Sequence, residues 1–438
     1  MSSCYEELPM IRKHRIFSLS ENGYLPRVID SSLKKALKAS GAVQIKGPKW
    51  CGKTATAEHH SASQVYLQDP DRRASLLALA ETKPSLILEG DEPRLIDEWQ
   101  EAPQLWDAVR FAVDHGKGKG RFILTGSSTP KIKPAHSGVG RIAPLRMRTM
   151  SLYESQESNA AVSLSSLFEG NTDISGLADF DIQDIAFAIC RGGWPEAVLD
   201  PDEETALMQA SNYVTELIES DIEAMDGIKR NASWMRSIMR SYARNISSEA
   251  ALTTIAADMQ GEPPSMATVA EYVDALARAS VTEDLEAWSP RLRSKTAIRT
   301  SPTRHFTDPA IAAALLNASP ALLLEDFNTF GLLFESMCVR DLRVYTEALR
   351  GNVFHYRDKT GLEADAVLSL HDGRWALVEV KMGHSKIDEA AEHLKKLASR
   401  IDTDHEGTPS FLMVLTATEA AYRREDGVVV VPLACLAP

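Results

Sequence analysis

IKGPKWCGKT, residues 45–54, fits the pattern G-x-x-x-x-G-K-[ST] through Gly47, Gly52, Lys53 and Thr54. The run GAVQI before it reads as a short strand, and TATAEHH after it continues as a helix, which is the setting this motif requires. In such a loop the glycines let backbone N–H groups approach phosphate oxygens, the helix amino terminus adds partial positive charge, and the lysine reaches the outer phosphates. Thr54 is then the expected Mg²⁺ ligand. Pro48, Lys49, Trp50 and Cys51 form the interior of the loop and Ala55 follows it, so Gly47 to Ala55 are the expected nucleotide contacts. Cys51 reads as a small loop residue rather than a nucleophile. A chance glycine-rich turn is the competing account, and a second site is needed to weigh against it.

PRLIDEWQ, residues 93–100, supplies that site. Leu95 and Ile96 end a buried strand, and Asp97 and Glu98 follow where it emerges beside the loop. Asp97 is placed to hold Mg²⁺ through water, and Glu98 to orient or deprotonate the attacking water. Acidic pairs also finish surface strands without any role. The separation from Thr54, about forty residues, leaves room for one helix and one strand, as a parallel sheet demands. A third strand, RFILTGSST, ends in Thr125, Ser127 and Ser128; Thr125 or Ser127 is placed to sense a terminal phosphate, and an ordinary strand-terminal turn explains each equally well. Arg141, after two glycines, acts in cis, reaches a neighbouring subunit's phosphate as an arginine finger, or is simply solvated.

Taken in order, YLPRVID, GPKWCGKT, PRLIDEWQEAP, FILTGSS and GRIAPLRMRTMSLYE resemble a large group of prokaryotic AAA+-like ATPases with a characteristic carboxy-terminal extension. The resemblance covers nearly the whole chain. It implies ATP as the nucleotide and places Tyr24, Pro26 and Arg27 near the base pocket, since they precede the P-loop strand.

Bulk properties set the frame. At 438 residues the chain exceeds the size at which a single core keeps growing, so two to four domains are expected. A formal charge of −13 argues against a wholly basic nucleic-acid binder but leaves room for a local positive face. The five cysteines, Cys4, Cys51, Cys190, Cys338 and Cys435, are scattered, with no CxxC pair and no histidine at zinc-ligand spacing. That pattern suits a reducing cytoplasm. The amino terminus lacks the charge and apolar run of a secretory signal, and no stretch approaches the roughly 20 apolar residues that span a bilayer. A cytoplasmic protein with no membrane partner is expected.

Beyond the first domain, residues 155–176 are rich in Ser, Asn, Gly and Glu and mark a boundary. In CRGGWPEAV, Gly192, Gly193 and Pro195 form a turn whose role is backbone geometry. SWMRSIMRSYARN is an amphipathic helix: Met235, Ile238, Met239, Tyr242 and Ala243 make the apolar stripe, and Arg236, Arg240 and Arg244 lie beside it on a face that is solvated or meets phosphate. Residues 251–299 read as helix, turn, helix, strand, basic hairpin, strand, the order of a winged helix-turn-helix. Its second helix carries Glu271, Tyr272 and Asp274 and little positive charge; phosphates would repel the two acidic side chains, so a protein-contacting role is favoured over groove reading. Arg291, Arg293, Lys295 and Arg299 in the wing are placed to touch a nucleic-acid backbone.

The final segment reads as αβββαβ, and resembles the restriction-endonuclease-like core. Its matching residues are Glu335 on the first helix, Asp365 on the second strand, and Glu379 with Lys381 on the third. Two apart on one strand, Glu379 and Lys381 share a face. Asp365 and Glu379 are candidate Mg²⁺ ligands at a scissile phosphate, Lys381 a candidate activator of water, and Glu335 a fourth member. The usual Pro-Asp is Ala364-Asp365 here, and Glu363 offers a competing carboxylate.

The expected architecture is therefore α/β: a P-loop parallel sheet (1–154), a helical lid or connector (155–228), a winged-helix module (229–310) and a restriction-endonuclease-like domain (325–438). The expected function is an ATP-binding, Mg²⁺-dependent ATPase acting as a switch on DNA, RNA or a protein partner, as a monomer or an oligomer. The alternative is an ATP-regulated metal-dependent nuclease.

Overall fold

Two faces of one sheet can be read from the alternation of its strands. The computed structural model describes residues 23–126, 137–223, 227–259, 264–289, 301–358, 361–401 and 407–438. Strands β1 (Ala42–Lys46), β2 (Ser63–Tyr66), β3 (Arg94–Asp97), β4 (Phe122–Gly126) and β5 (Ile142–Arg146) form a five-stranded parallel sheet in the order β2-β3-β4-β1-β5. Ala42, Ile96, Phe122 and Leu124 pack on one side, against Leu105 and Val109 of α4 (Gln104–His115). Val43, Ile45, Leu95 and Ile123, their immediate neighbours, pack on the other with Leu33 of α1 (Ile29–Ala39) and Ala57 of α2 (Lys53–His59). Apolar residues on both faces are what a parallel sheet covered by helices requires.

Strand order decides which side chains meet. Because β4 lies between β1 and β3, its carboxy-terminal tip stands between the loop leaving β1 and the acidic end of β3. Register also separates Arg141 from that edge. It immediately precedes β5, whose first residue Ile142 pairs with Ala42, whereas the P-loop leaves β1 after Lys46 at the opposite end. Arg141 is exposed and its Nε donates to Asp114 Oδ1 at 2.7 Å. The expectation that Arg141 acts in cis is therefore corrected: a parallel sheet puts the start of β5 at the wrong end, which leaves the readings of a solvated, ion-paired residue or of a finger towards a neighbouring subunit.

Helices α6 (Ile182–Arg191), α8 (Glu203–Glu216), α9 (Ala232–Arg244) and α12 (Pro309–Leu315) pack on one another beyond that sheet. In α9 the apolar stripe Met235, Ile238, Met239, Tyr242 and Ala243 is buried, while Arg236, Arg240 and Arg244 are exposed. Arg244 pairs with Asp258 at 3.2 Å. Helices α10 (Leu252–Ala257) and α11 (Met266–Arg278) follow, then antiparallel bridges Thr282–Phe306 and Leu285–Thr303. Tyr272 of α11 is buried, with its hydroxyl accepting from the Asn231 N–H at 2.8 Å, and Glu271 pairs with Arg230 at 2.5 Å. Arg291, Arg293, Lys295 and Arg299, like Ser127, Ser128 and Cys4, lie outside the described residues.

The last segment starts with α14 (Phe327–Ala348), followed by β8 (Gly351–Arg357), β9 (Glu363–Leu370), β10 (Trp375–Lys381), α15 (Ile387–Ala398), β11 (Leu412–Thr416), β12 (Ala420–Arg423) and β13 (Val429–Pro432). The sheet order is β7-β12-β13-β11-β10-β9-β8, antiparallel from β8 to β10 and parallel across β10, β11 and β13. Its edge strand β7 (Ser175–Leu177) comes from the stretch expected to be a connector, and β6 (Val162–Ser163) likewise pairs with β14 (Leu436–Ala437). One apolar cluster runs from Leu152 to Leu436. Among the described residues the cysteines Cys51, Cys190, Cys338 and Cys435 are buried and free, and no helix is long and apolar enough to cross a membrane.

Candidate functional site

The loop after β1 is built around two glycine requirements. A Cβ on Gly47 would collide with the Met147 carbonyl oxygen, and Gly52 has φ +99°, a region that L side chains avoid. Trp50, at φ 64°, adopts the left-handed conformation without that freedom. Cys51 is fully buried, filling the base of the loop. The Lys53 ammonium turns back into the loop it follows, donating to Pro48 O at 2.7 Å and Gly47 O at 3.2 Å. It is itself buried, so the cation is held inside the cradle rather than in solvent.

Asp97 collects the neighbouring hydroxyls. Thr54 Oγ1 donates to Asp97 Oδ1 at 2.8 Å, and Thr125 Oγ1 donates to the same oxygen at 2.6 Å. The loop, the end of β3 and the tip of β4 thus converge on one carboxylate. Glu98, the next residue, has φ 53° and ψ 47°, which turns its side chain away from the strand line. Burial raises the Glu98 pKa, while the Gln100 hydrogen bond and the Lys53 charge act in the opposite direction. Gln100 Nε2 donates to Glu98 Oε2.

Contacts from distant parts of the chain brace the loop from behind. Arg27 is buried; its guanidinium donates to Cys51 O at 2.8 Å, Arg148 O at 2.8 Å and Glu154 Oε1 at 3.0 Å. Trp194 Nε1 donates to Lys49 O at 3.2 Å, and the Trp50 ring meets Tyr213 edge-on at 5.9 Å. Arg27 is thus a loop brace, a more specific position than a base pocket. Tyr24 packs on α2, stacked on His59 at 4.3 Å with its hydroxyl bonded to Asp30 and Thr56. The P-loop pattern itself carries no signal for Gln100, Glu154 or Trp194; Gln100 follows DEW, Glu154 closes the run GRIAPLRMRTMSLYE, and Trp194 sits in the Gly-Gly-Trp-Pro turn.

A second cluster lies where α14 crosses the strands β9 and β10. Asp365 Oδ2 accepts the Val380 N–H at 2.7 Å, and Lys381 Nζ is 2.9 Å from Glu379 Oε1 and 3.9 Å from Asp365 Oδ2. His393 of α15, absent from the expected set, brings Nδ1 within 3.5 Å of Glu379 Oε1. Glu379 is buried, and its Oε2 has no hydrogen-bond partner. Burial and the Glu379 charge push Asp365 up to about 7. Burial and the Asp365 charge hold Glu335 well above the usual carboxylate range, and burial raises Glu379 against the pull of Lys381. Burial opposes the Lys381 ammonium, but Asp365 and Glu379 outweigh it and raise its pKa. Glu363 pairs with Arg357 at 3.7 Å, and its charge adds to the rise at Glu335, Asp365 and Glu379. Among the described residues no group of three or more His, Cys, Asp or Glu has the geometry to hold a metal ion.

Comparison with known proteins gives three domain matches: an AAA domain over residues 39–156, a domain of unknown function (DUF8612) over 182–322, and a second (DUF4143) over 330–436. Two uncharacterized proteins, Rv2008c of Mycobacterium tuberculosis and Mb2031c of Mycobacterium bovis, are each 24% identical over 360 residues, covering 80% of this chain and 72% of theirs. Among solved structures, the Walker-type ATPase PABY2304 of Pyrococcus abyssi aligns with a TM-score of 0.41 and 12% identity, over 69% of this chain and 99% of that one. The amino-terminal parallel sheet is that of a P-loop ATPase domain of the AAA type.

Proposed function

We propose that this chain is a Mg²⁺-dependent ATP hydrolase whose nucleotide state is passed to its carboxy-terminal parts, which engage nucleic acid or a protein partner. The observation that carries the reading is the convergence of Thr54 and Thr125 on Asp97 Oδ1, with Glu98 next in the chain and Lys53 seated in the loop. The donor set suits a hard cation beside phosphates: a hydroxyl, a carboxylate and a backbone cradle that only glycine allows. Thr54 and Asp97 would hold Mg²⁺, which supplies charge neutralisation at the phosphates. Gly47 to Ala55 would line the phosphates with backbone groups, Lys53 would exchange its loop carbonyls for phosphate oxygens, and Thr125 would sense the terminal one. Glu98 is the base that orients water and takes its proton. Lys53→Ala is expected to abolish tight ATP binding in an equilibrium titration, and wild-type affinity in that variant would remove the assignment. Glu98→Gln should bind ATP normally and lose about 10²- to 10⁴-fold in turnover.

The division into a P-loop domain (1–154), a connector (155–228), a winged-helix module (229–310) and a restriction-endonuclease-like domain (325–438) belongs to the same reading. The two successive helices α10 and α11 followed by the antiparallel bridges Thr282–Phe306 and Leu285–Thr303 support the winged helix, and the order α14–β8–β9–β10–α15–β11 supports the nuclease-like fold. The exposed Asp274 and half-exposed Glu271 of α11, which phosphates would repel, favour a protein-contacting module over groove reading.

A second reading, an ATP-regulated nuclease, is favoured by one observation: Glu379 Oε2 is buried without a partner beside Asp365 and Lys381. A buried carboxylate oxygen with no donor is costly, and a cation or a phosphate-bound water is what such an atom accommodates. ATP turnover measured with and without single-stranded DNA, duplex DNA and RNA, beside Mg²⁺ or Mn²⁺ cleavage assays, separates the two. Cleavage that disappears in Lys381→Ala supports the nuclease; ATP-dependent complex formation without cleavage supports the switch.

A further inference from the structure

Glu98 is not free to choose its direction. Its left-handed backbone already departs from the strand, and the short turn Trp99–Glu101 that follows brings Gln100 back against it. The carboxamide of Gln100 has one orientation available: its N–H must face the Glu98 carboxylate, because turning its oxygen there would oppose two acceptors. That choice sends Gln100 Oε1 towards the tip of β4, where a Cβ on Gly126 would collide with it. There Oε1 is buried and lacks a donor, as does the neighbouring Trp99 Nε1 lack an acceptor. A buried amide oxygen left unpaired is destabilising. A turn under selection for stability alone would place an apolar side chain there, whereas this one keeps a carboxamide whose single hydrogen bond goes to Glu98.

We propose that Gln100 is the positioning residue for the water-activating carboxylate of the ATPase: it holds Glu98 Oε2, leaving the other carboxylate oxygen to receive the water proton. The inference rests on the proposed hydrolytic role of Glu98. In the reaction the water oxygen bonds to the γ-phosphorus as the bond to the β–γ bridging oxygen breaks, and the water proton passes to Glu98. Gln100 touches none of the reacting atoms; it fixes the direction of the group that does. Thr125 and Gly126 at the end of β4 complete the wall behind it: Thr125 holds Asp97, and the absence of a side chain on Gly126 admits the carboxamide.

The test uses the full chain with Gln100→Met, which keeps the side-chain volume and removes the N–H, and Gln100→Ala. Each is made alone and combined with Glu98→Gln. Four quantities are measured: kcat and KM for ATP with Mg²⁺, equilibrium ATP binding, and thermal unfolding without nucleotide. Both single variants should lose about 10- to 100-fold in kcat while KM and the equilibrium affinity stay within about twofold. In the Glu98→Gln background the same substitutions should cost nothing further, because the group they position is gone. Wild-type kcat in Gln100→Met overturns the proposal. So does an equal further loss in the Glu98→Gln background, which would mark Gln100 as a structural turn residue. If Gln100→Ala melts early, the isosteric methionine variant carries the test alone. Absence of turnover in the wild type would sink the hydrolase reading itself, and this inference with it; retained wild-type turnover with an unaffected Gln100→Met sinks the inference only.

Discussion

At Gly47 a single methyl group would meet the Met147 carbonyl oxygen, which is itself fixed because Met147 N donates to Lys46 O at 2.7 Å as β5 leaves the sheet. The loop cannot retreat without breaking that strand exit, so Gly47→Ala should weaken ATP binding by at least about tenfold and destabilise the chain by about 2–4 kcal/mol. Calorimetric binding together with urea unfolding checks both, and an unchanged melt would show that the loop yields. The carboxylates of the second cluster carry the opposite expectation. Asp365 is pushed up to about 7, above its ordinary value, by burial and by Glu379. An acid with a raised folded-state pKa binds its proton more tightly in the fold, so stability is greatest below its ordinary pKa near 4 and is lost as pH rises towards 7. Asp365→Asn retains an oxygen for the Val380 N–H and removes the charge. It should stabilise the chain by about 1–3 kcal/mol at pH 8 and give no gain at pH 4. A lower melting temperature at pH 8 would contradict that account.

The elements joining these sites are helix α14 and the bridged strands before it. The helix carries Glu335 in its first half and Arg340, Asp341 and Glu347 further on, about 18 Å from Glu335 to Glu347 at 1.5 Å per residue. Arg148, leaving β5, meets Glu347 at 2.5 Å and Glu283 at 2.7 Å; Thr149 Oγ1 donates to Asp308 Oδ2 at 2.7 Å; and Leu152 N donates to Asp341 Oδ2 at 2.9 Å. Arg340 closes the belt, 3.1 Å from Asp308 and 2.8 Å from Asp341, with all three side chains at most 2% exposed. Replacing it with methionine leaves two buried carboxylates without their cation, so Arg340→Met should cost about 3–5 kcal/mol in chemical unfolding. A loss below 1 kcal/mol would show that water enters the belt. Nearby, burial holds His305 well below its usual range and His355 down at about 4. A histidine with a depressed folded-state pKa protonates first in the unfolded chain, so its fold is penalised as pH falls below about 6.5, until about 4 for His355. Because the acidic cluster slopes the other way over that range, the readout is a difference. Between pH 6.5 and 5, His355→Gln should lose about 1 kcal/mol less per pH unit than the wild type, and equal slopes would refute it.

At the scale of the whole molecule, what could be read in the chain and what could not follow from sequence distance. The P-loop, the Asp97–Glu98 end of β3 and the apolar stripe of α9 announce themselves within a few residues, because each depends on local geometry or on one helical period. The cation pairs of the belt do not: Arg27 meets Glu154 across 127 positions and Arg148 meets Glu347 across 199, and neither leaves a local pattern. Arg141 misled for the same reason, since only strand register shows that it lies at the far end of the sheet. The short strands β6 and β7 were likewise invisible, being two and three residues long in a polar stretch. Yet β7 completes the edge of the last sheet by pairing with Ala420–Tyr422, and β6 forms a separate two-stranded sheet with Leu436–Ala437. A fragment of residues 325–438 would therefore expose Ala421, Leu436 and Ala437, all at most 6% exposed in the whole chain, along with an unpaired strand edge. A fragment of residues 148–438 keeps both strands, the apolar cluster from Leu152 to Leu436 and the acidic partners of Arg148. The longer fragment should unfold cooperatively with a sharp near-ultraviolet signal, and the shorter one should aggregate or bind a hydrophobic dye. A soluble, cooperatively folding 325–438 fragment would mean that β6 and β7 only decorate a domain complete without them.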